Sequence, residues 1–211
     1  MKKIIFAVLI VCAVACVAAC EKRGGTLDKV SENTYKAEKG KAVVYFAGGC
    51  FWGTEKLFSQ IPGVTDAVSG YANGDENVVP RYEIAGKTHF KETVRVEYDP
   101  NKISLEALLF AYFSVTDPTV KNRQGNDIGS QYQTGIYYTD EDSGRIIRKA
   151  ARKEAKKHDR FYVEILPLKN FFDAEEYHQD YLEKNPGGYC HINSAEMDQV
   201  LKEIEKGQLQ N

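Results

Sequence analysis

Hydrophobic positions after residue 41 change period several times, and each change marks an element. Ala42-Val43-Val44-Tyr45-Phe46 is a continuous apolar run, the pattern of a strand covered on both faces, and Ala47-Gly48-Gly49 breaks it. From Cys50 onward Thr54, Leu57, Phe58 and Ile61 recur at helical spacing until Pro62-Gly63 stops the helix. A second strand is predicted over 64–71. Glu92 to Tyr98 alternates apolar and polar, and Ser104 is placed to cap a helix with Leu105, Leu108, Leu109, Tyr112 and Phe113 as one stripe. A strand follows over 134–139. The order β-α-β-β-α-β predicts an α/β (α+β) chain with a ferredoxin-like two-layer core, its helices on one face of the sheet.

Further elements extend that core. A helix over 140–158 begins with Asp140, Glu141 and Asp142 and ends with Lys156 and Lys157, the charge order that suits the helix dipole. Phe161, Val163 and Ile165 alternate as an added strand. Asp173 and Glu176 match a capping box, with Phe172 and Tyr177 as its hydrophobic staple. Met197, Val200, Leu201 and Ile204 predict a C-terminal amphipathic helix. Residues 115–133 have no period and many turn formers; loops of that length in a compact domain are usually functional or disordered.

The first twenty residues belong to a different kind of segment. Lys2 and Lys3 precede an apolar run from Ile4 to Ala19 that ends in small residues, the layout of a bacterial secretory signal over 1–19. Val17-Ala18-Ala19-Cys20 resembles a lipobox, so Cys20 is the expected lipidation site, with an uncleaved anchor as the alternative. Residues 20–41 are polar and aperiodic, a tether, and the domain is expected over 42–211. Both alternatives place it outside the cytoplasm, in the cell envelope.

Composition narrows the function classes. The 211 residues carry 28 Lys and Arg against 30 Asp and Glu, and cleavage before Cys20 would take the formal charge from −2 to −4. Without a basic excess, nucleic acid is not an expected partner. Cys12, Cys16 and Cys20 lie in or beside the signal, which leaves Cys50 and Cys190 for the domain. In an oxidising compartment these two are either one structural disulfide or a redox pair.

Cys50 follows two glycines at the start of a helix, where free backbone N–H groups and the helix dipole favour a thiolate. Phe51 and Trp52 can wall an apolar pocket beside it. Glu92 shares strand parity with Val94, Val96 and Tyr98, so its carboxyl points to the apolar face and its pKa should rise, making it a proton donor near neutral pH. Pro186-Gly187-Gly188 before Cys190 should let that thiol move. His178 or His191 could pair with Cys50 as in a Cys–His hydrolase, but no local signature supports it. A zinc site at Cys50, Cys190 and His191 lacks ligand spacing and a fourth partner. No nucleotide motif occurs.

Gly49-Cys50-Phe51-Trp52-Gly53 resembles the A-type peptide methionine sulfoxide reductases. The likeness recurs in order at Gly70-Tyr71, Pro80-Arg81-Tyr82, Tyr98-Asp99-Pro100, Gln124-Gly125-Asn126-Asp127, Gln131-Tyr132 and Tyr177-His178-Gln179, and ends at Asn185-Pro186-Gly187-Gly188-Tyr189-Cys190. The resemblance implies Cys50 as nucleophile, Glu92 as acid and Cys190 as resolving cysteine. It implies Phe51 and Trp52 as the S-methyl pocket, Tyr82 and Tyr132 as hydroxyls on the sulfoxide oxygen, and Asp127 as a polar support. Two departures stand out. The family places one residue between His and Glu before the Val-rich strand, whereas His89-Phe90-Lys91-Glu92 places two, and no cysteine follows Cys190.

The implied activity is thiol-dependent reduction of methionine S-sulfoxide, free or in proteins. It would run through a Cys50 sulfenic acid and a Cys50–Cys190 disulfide reduced by thioredoxin or a thioredoxin-like protein. No metal or organic cofactor is implied. The expected protein is a monomer joined to a membrane by an N-terminal lipid anchor. Residue spacing alone leaves two rivals: a thiol peroxidase using the same cysteines, and a non-catalytic envelope domain stapled by one disulfide.

Overall fold

The computed structural model describes residues 35–208. Four strands form the centre: β1 (Ala42–Ala47), β2 (Val64–Ala72), β3 (Lys91–Tyr98) and β6 (Gly135–Tyr138). Their spatial order is β6-β1-β3-β2, all antiparallel, and with helices α1 (Phe51–Ser59) and α2 (Leu105–Val115) they make the expected ferredoxin-like core. The loop before β6 carries a small hairpin, β4 (Arg123–Gln124) and β5 (Asp127–Ile128). The edges are extended by β7 (Glu164–Pro167), parallel to β6, and by β8 (Phe171–Asp173), antiparallel to β2.

Burial explains the local choices. Val44, Phe46, Val94 and Val96 face the helices and are fully buried with Leu57, Phe58, Leu108 and Leu109. Phe46 stacks on Phe58 with ring centroids 4.4 Å apart. Removing such a buried aromatic ring costs about 3–5 kcal/mol. The Ser104 side chain accepts the Ala107 N–H at 3.2 Å to cap α2. Asp140 accepts the Ser143 N–H at 2.8 Å to cap α3 (Glu141–Ala155), whose Ile147 and Ala151 are buried. The C-terminal α5 (Ser194–Gln208) buries Met197, Val200 and Ile204.

The opposite face of the sheet is also covered. Tyr45, Ala47, Ala72, Tyr137 and Phe171 form a second, smaller cluster there. Tyr35 lies 3.8 Å from the Arg95 guanidinium, and its hydroxyl donates to Glu97 at 2.6 Å. The polar residues read as a tether therefore include, over 35–41, a strap packed on the sheet. The signal over 1–19 and the Cys20 lipidation site lie outside the described residues.

The capping box fails. Asp173 ends β8 and meets Arg95 at 3.4 Å, and Glu176 opens a single 3-10 turn, Glu176–His178, with no side-chain cap. Phe172 packs edge-on against Phe90 rather than on Tyr177. Sheet pairing of Tyr71 with Phe172 outweighs the local helical signal. After that turn comes the four-residue helix α4 (Tyr181–Lys184).

A buried carboxyl fastens this region to α1. Glu55, 2% exposed, accepts the Ser69 N–H at 3.1 Å and the Asp180 N–H at 2.9 Å. Burial pushes its pKa up to about 7, opposed by those hydrogen bonds and reinforced by Asp180. A folded-state pKa above the unfolded value means that stability is lost as pH rises through about 7. Glu55→Gln should therefore shrink the fall in stability between pH 5 and pH 8 by on the order of 1–2 kcal/mol, measured by urea unfolding at both values. An unchanged difference would show that this carboxyl ionises in the folded protein as readily as in the unfolded chain.

Candidate active site

The site is built where β1 turns into α1. Gly49 makes the turn at φ 90, and a Cβ there would meet Gln124 Cβ at 2.5 Å. The turn places Cys50 at the N-cap of α1 and Phe51 in its first turn. On the neighbouring strand, Glu92 is 2% exposed and accepts the Phe51 N–H at 3.1 Å. Its parity on β3 is the expected one, facing the helices with Val94 and Val96. The extra residue between His89 and Glu92 is absorbed before the strand begins. His89 takes a left-handed conformation, φ 61, and lies exposed against Asp75 at 3.0 Å.

The remaining expected residues come to the same place. The Tyr82 and Tyr132 hydroxyls are hydrogen-bonded to each other, and burial, then Glu92, raises the pKa of both. Asp127 stands on the β4–β5 hairpin, so the aperiodic loop supplies both Asp127 and Tyr132. Phe51 is buried against Tyr71, centroids 5.8 Å apart, and Trp52 is half-buried beside it. Cys190 reaches the first turn of α1: a Cβ at Gly53 would meet its sulfur at 2.8 Å. Gly53 thus makes room for the second thiol.

Protonation departs from the sequence reading at one residue. Burial, then Glu92, raises the Cys50 thiol well above its ordinary range, although the Trp52 N–H pulls the other way. The helix start does not give a resting thiolate. Desolvation outweighs the dipole, and one first-turn N–H, that of Phe51, is given to Glu92. Glu92 itself behaves as expected: burial pushes it up to about 8, against the Phe51 N–H, so it is protonated at neutral pH. Cys190 is also raised, by burial.

Several neighbours complete the aromatic wall. His178 accepts the Trp52 indole N–H on Nδ1 at 3.1 Å and lies under Tyr82, centroids 4.8 Å apart. It therefore orients the aromatic wall rather than serving Cys50 as a base, and burial lowers its pKa. Tyr181 stacks on Trp52 at 3.8 Å. Glu175 accepts from the Tyr71 hydroxyl at 2.8 Å and the Tyr82 N–H at 3.1 Å. Of this group the sequence pointed only to His178, through the Tyr177-His178-Gln179 motif and as a candidate partner of Cys50, while Tyr181 and Glu175 were not singled out. Among the described residues no set of three or more His, Cys, Asp or Glu side chains is arranged to hold a metal ion.

A neutral thiol, a neutral carboxylic acid, two linked phenols, an aromatic wall and a second thiol suit reduction of a small polar S–O group. A family model described as peptide methionine sulfoxide reductase matches residues 42–209. The chain belongs to the peptide methionine sulfoxide reductase family. It is 54% identical over 152 residues to the peptide methionine sulfoxide reductase MsrA of Clostridium acetobutylicum, covering 71% of this chain and 93% of that one. Its fold is similar to reduced Mxr1 from Saccharomyces cerevisiae, with TM-score 0.71, 34% identity, and 78% and 98% of the two chains covered. Mxr1 in complex with Trx2 is a further match, with TM-score 0.51, 27% identity and 71% and 91% coverage. Like other members, this chain is an oxidoreductase that reduces methionine sulfoxide.

Two expectations follow for this family member. The rate of sulfoxide reduction in a single turnover should fall as pH rises through about 8, when Glu92 loses its proton. Glu92→Gln should lose that limb and run about 10²–10⁴-fold slower; an unchanged limb would remove Glu92 as the acid. Alkylation of Cys50 by iodoacetamide, followed in Cys190→Ser without substrate, should stay slower than that of a free thiol through pH 8.5. Rapid labelling at neutral pH would show a resting thiolate instead.

Proposed function

We propose that the chain reduces the S epimer of methionine sulfoxide, free or in proteins, by a two-cysteine cycle. The observation that carries this reading is the convergence at one helix start of Cys50, a protonated Glu92, and the Cys190 sulfur against Gly53. The substrate methyl group packs on Phe51 and Trp52. Its oxygen takes hydrogen bonds from Tyr82, Tyr132 and Glu92, with Asp127 supporting the cluster. Cys50 sulfur attacks the sulfoxide sulfur while Glu92 provides a proton to the oxygen, which makes sulfur a competent electrophile. Methionine leaves, and the oxygen ends on Cys50 as a sulfenic acid, two electrons having passed to the substrate.

Cys190 then condenses with the sulfenic acid, releasing water and sparing Cys50 from further oxidation. An external dithiol reduces the disulfide by exchange. The complex of Mxr1 with Trx2 supports thioredoxin, or a thioredoxin-like protein, as that reductant. The 1–19 signal and the lipobox ending at Cys20 support an exported protein, tethered by a lipid at Cys20 and repairing oxidised envelope proteins.

Intact mass after one equivalent of methionine S-sulfoxide tests the cycle. The wild-type protein should lose two hydrogens and yield a Cys50–Cys190 cross-linked peptide. Cys190→Ser should release one equivalent of methionine and gain one oxygen on Cys50, and Cys50→Ser should release none. Methionine release from Cys50→Ser would overturn the assignment. Mass of the native N-terminus tests acylation at Cys20, which an unmodified upstream start would reject.

A further inference from the structure

The chain approaches Cys190 through Asn185-Pro186-Gly187-Gly188, where residues 185–187 are exposed and a side chain at Gly187 would meet nothing within 4 Å. A thiol carried on so open a stretch has little to hold it in place. Beyond it Ile192 is buried, and one of its methyl carbons would come within 3.3 Å of a Cβ at Gly53. That apolar contact secures the chain but gives the thiol no fixed direction.

Direction comes from two side-chain hydrogen bonds that straddle Cys190. On one side the Tyr189 hydroxyl donates to Asp127 Oδ2 at 3.1 Å. On the other, His191 Nε2 lies 2.9 Å from the Gly48 carbonyl oxygen. A carbonyl only accepts, so Nε2 carries the proton and the ring is held in one tautomer. The fit is close: Cβ atoms at Gly49 and Gly125 would each come within 3.3 Å of His191. Its Nδ1 is buried without a hydrogen-bond partner among the described residues, and burial lowers the imidazole pKa, so the ring stays neutral. Gly48 is two residues before Cys50. His191 therefore ties the residue next to Cys190 to the same turn that presents the nucleophile.

We propose that His191 is a positioning residue whose hydrogen bond to the Gly48 carbonyl fixes Cys190 against the first turn of α1 and so sets the rate of disulfide formation. This rests on the reading of Cys190 as the resolving cysteine. In that step the Cys190 sulfur attacks the sulfur of the Cys50 sulfenic acid. The S–S bond forms, the S–O bond breaks, and the hydroxyl leaves as water with the Cys190 proton. No other oxidant or reductant takes part. The tie acts by holding two reacting atoms near each other, so its loss touches this step and not the attack on sulfoxide.

Rapid quenching of the full-length protein with a methionine S-sulfoxide peptide reads both steps, as methionine released and as thiols lost. His191→Ala should release methionine at the wild-type rate and form the disulfide about tenfold more slowly, because proximity of the kind lost here is worth at least that factor. Dimedone should trap Cys50 sulfenic acid in the interval. His191→Gln keeps an N–H donor and should recover most of the rate. Should His191→Ala fail to fold, His191→Leu fills the space without a donor and carries the same expectation.

Disulfide formation at the wild-type rate in the donor-less variants would overturn the proposal. Equal slowing of both steps, or a glutamine variant as slow as alanine, would do the same. Cys190→Ser separates the two readings. If it too shows no sulfenic acid, the resolving role of Cys190 falls. If it stalls at sulfenic acid while His191→Ala closes normally, only the role of His191 falls.

Discussion

The Glu92 carboxyl accepts the Phe51 N–H at 3.1 Å in a place closed to water, and the arrangement of the site follows from that bond. It joins the middle strand to the first turn of the helix that begins at Cys50. It occupies a donor that the helix start would otherwise offer to the Cys50 sulfur. Burial keeps the acid protonated at neutral pH despite the hydrogen bond, because desolvating a carboxylate costs more than one N–H returns. The surrounding residues enforce this. Phe51 sits between Tyr71 and His178, and the groups that act on the carboxyl among the described residues are the Phe51 N–H and Asp127, neither a cation.

Such a bond needs a rigid frame. Strand β3 supplies it by being buried on both faces: Val94 and Val96 toward the helices, Thr93, Arg95 and Glu97 toward the strap at Tyr35 and the ring of Phe171. The charges on the second face are matched, Arg95 with Asp66 and Asp173, and Glu97 with the Tyr35 hydroxyl. A polar face packed in this way leaves β3 little freedom to slide. A one-residue slip would carry Glu92 to the wrong face. The left-handed turn at His89 lets the chain take an extra residue without paying for it in register.

What the sequence disclosed divides along a physical line. Core elements were legible because their signals are local: the glycine break before Cys50, the Ser104 cap, the acidic start of the helix at Asp140, and the alternation that put Glu92 inward. The capping box at Asp173 misled because sheet pairing at the edge of β2 is a tertiary event, stronger than a helix signal of one turn. The partners of Trp52 were hidden for the same reason. His178 and Tyr181 are more than a hundred residues away in the chain, and a histidine that accepts an indole N–H has no spacing signature. The Cys50 thiolate was inferred from the helix start alone. The dipole there is real, but its effect is small beside full burial of a charge next to a carboxyl.

A neutral thiol beside a neutral acid gives the resting site a selectivity that a thiolate would lack. Thiolates react with any accessible oxidant, peroxide included. Here both protons are in place before substrate arrives. In the proposed cycle a sulfoxide oxygen bound at the tyrosines takes a proton, which makes its sulfur electrophilic at the moment the thiol releases its own. Charge then develops only where a bound substrate can neutralise it. The same burial that raises the two pKa values at rest strengthens each hydrogen bond to that oxygen once water is excluded. Reactivity is thereby tied to occupancy of the pocket, which is the property required of a cysteine that must reduce one oxidised side chain and ignore free oxidants.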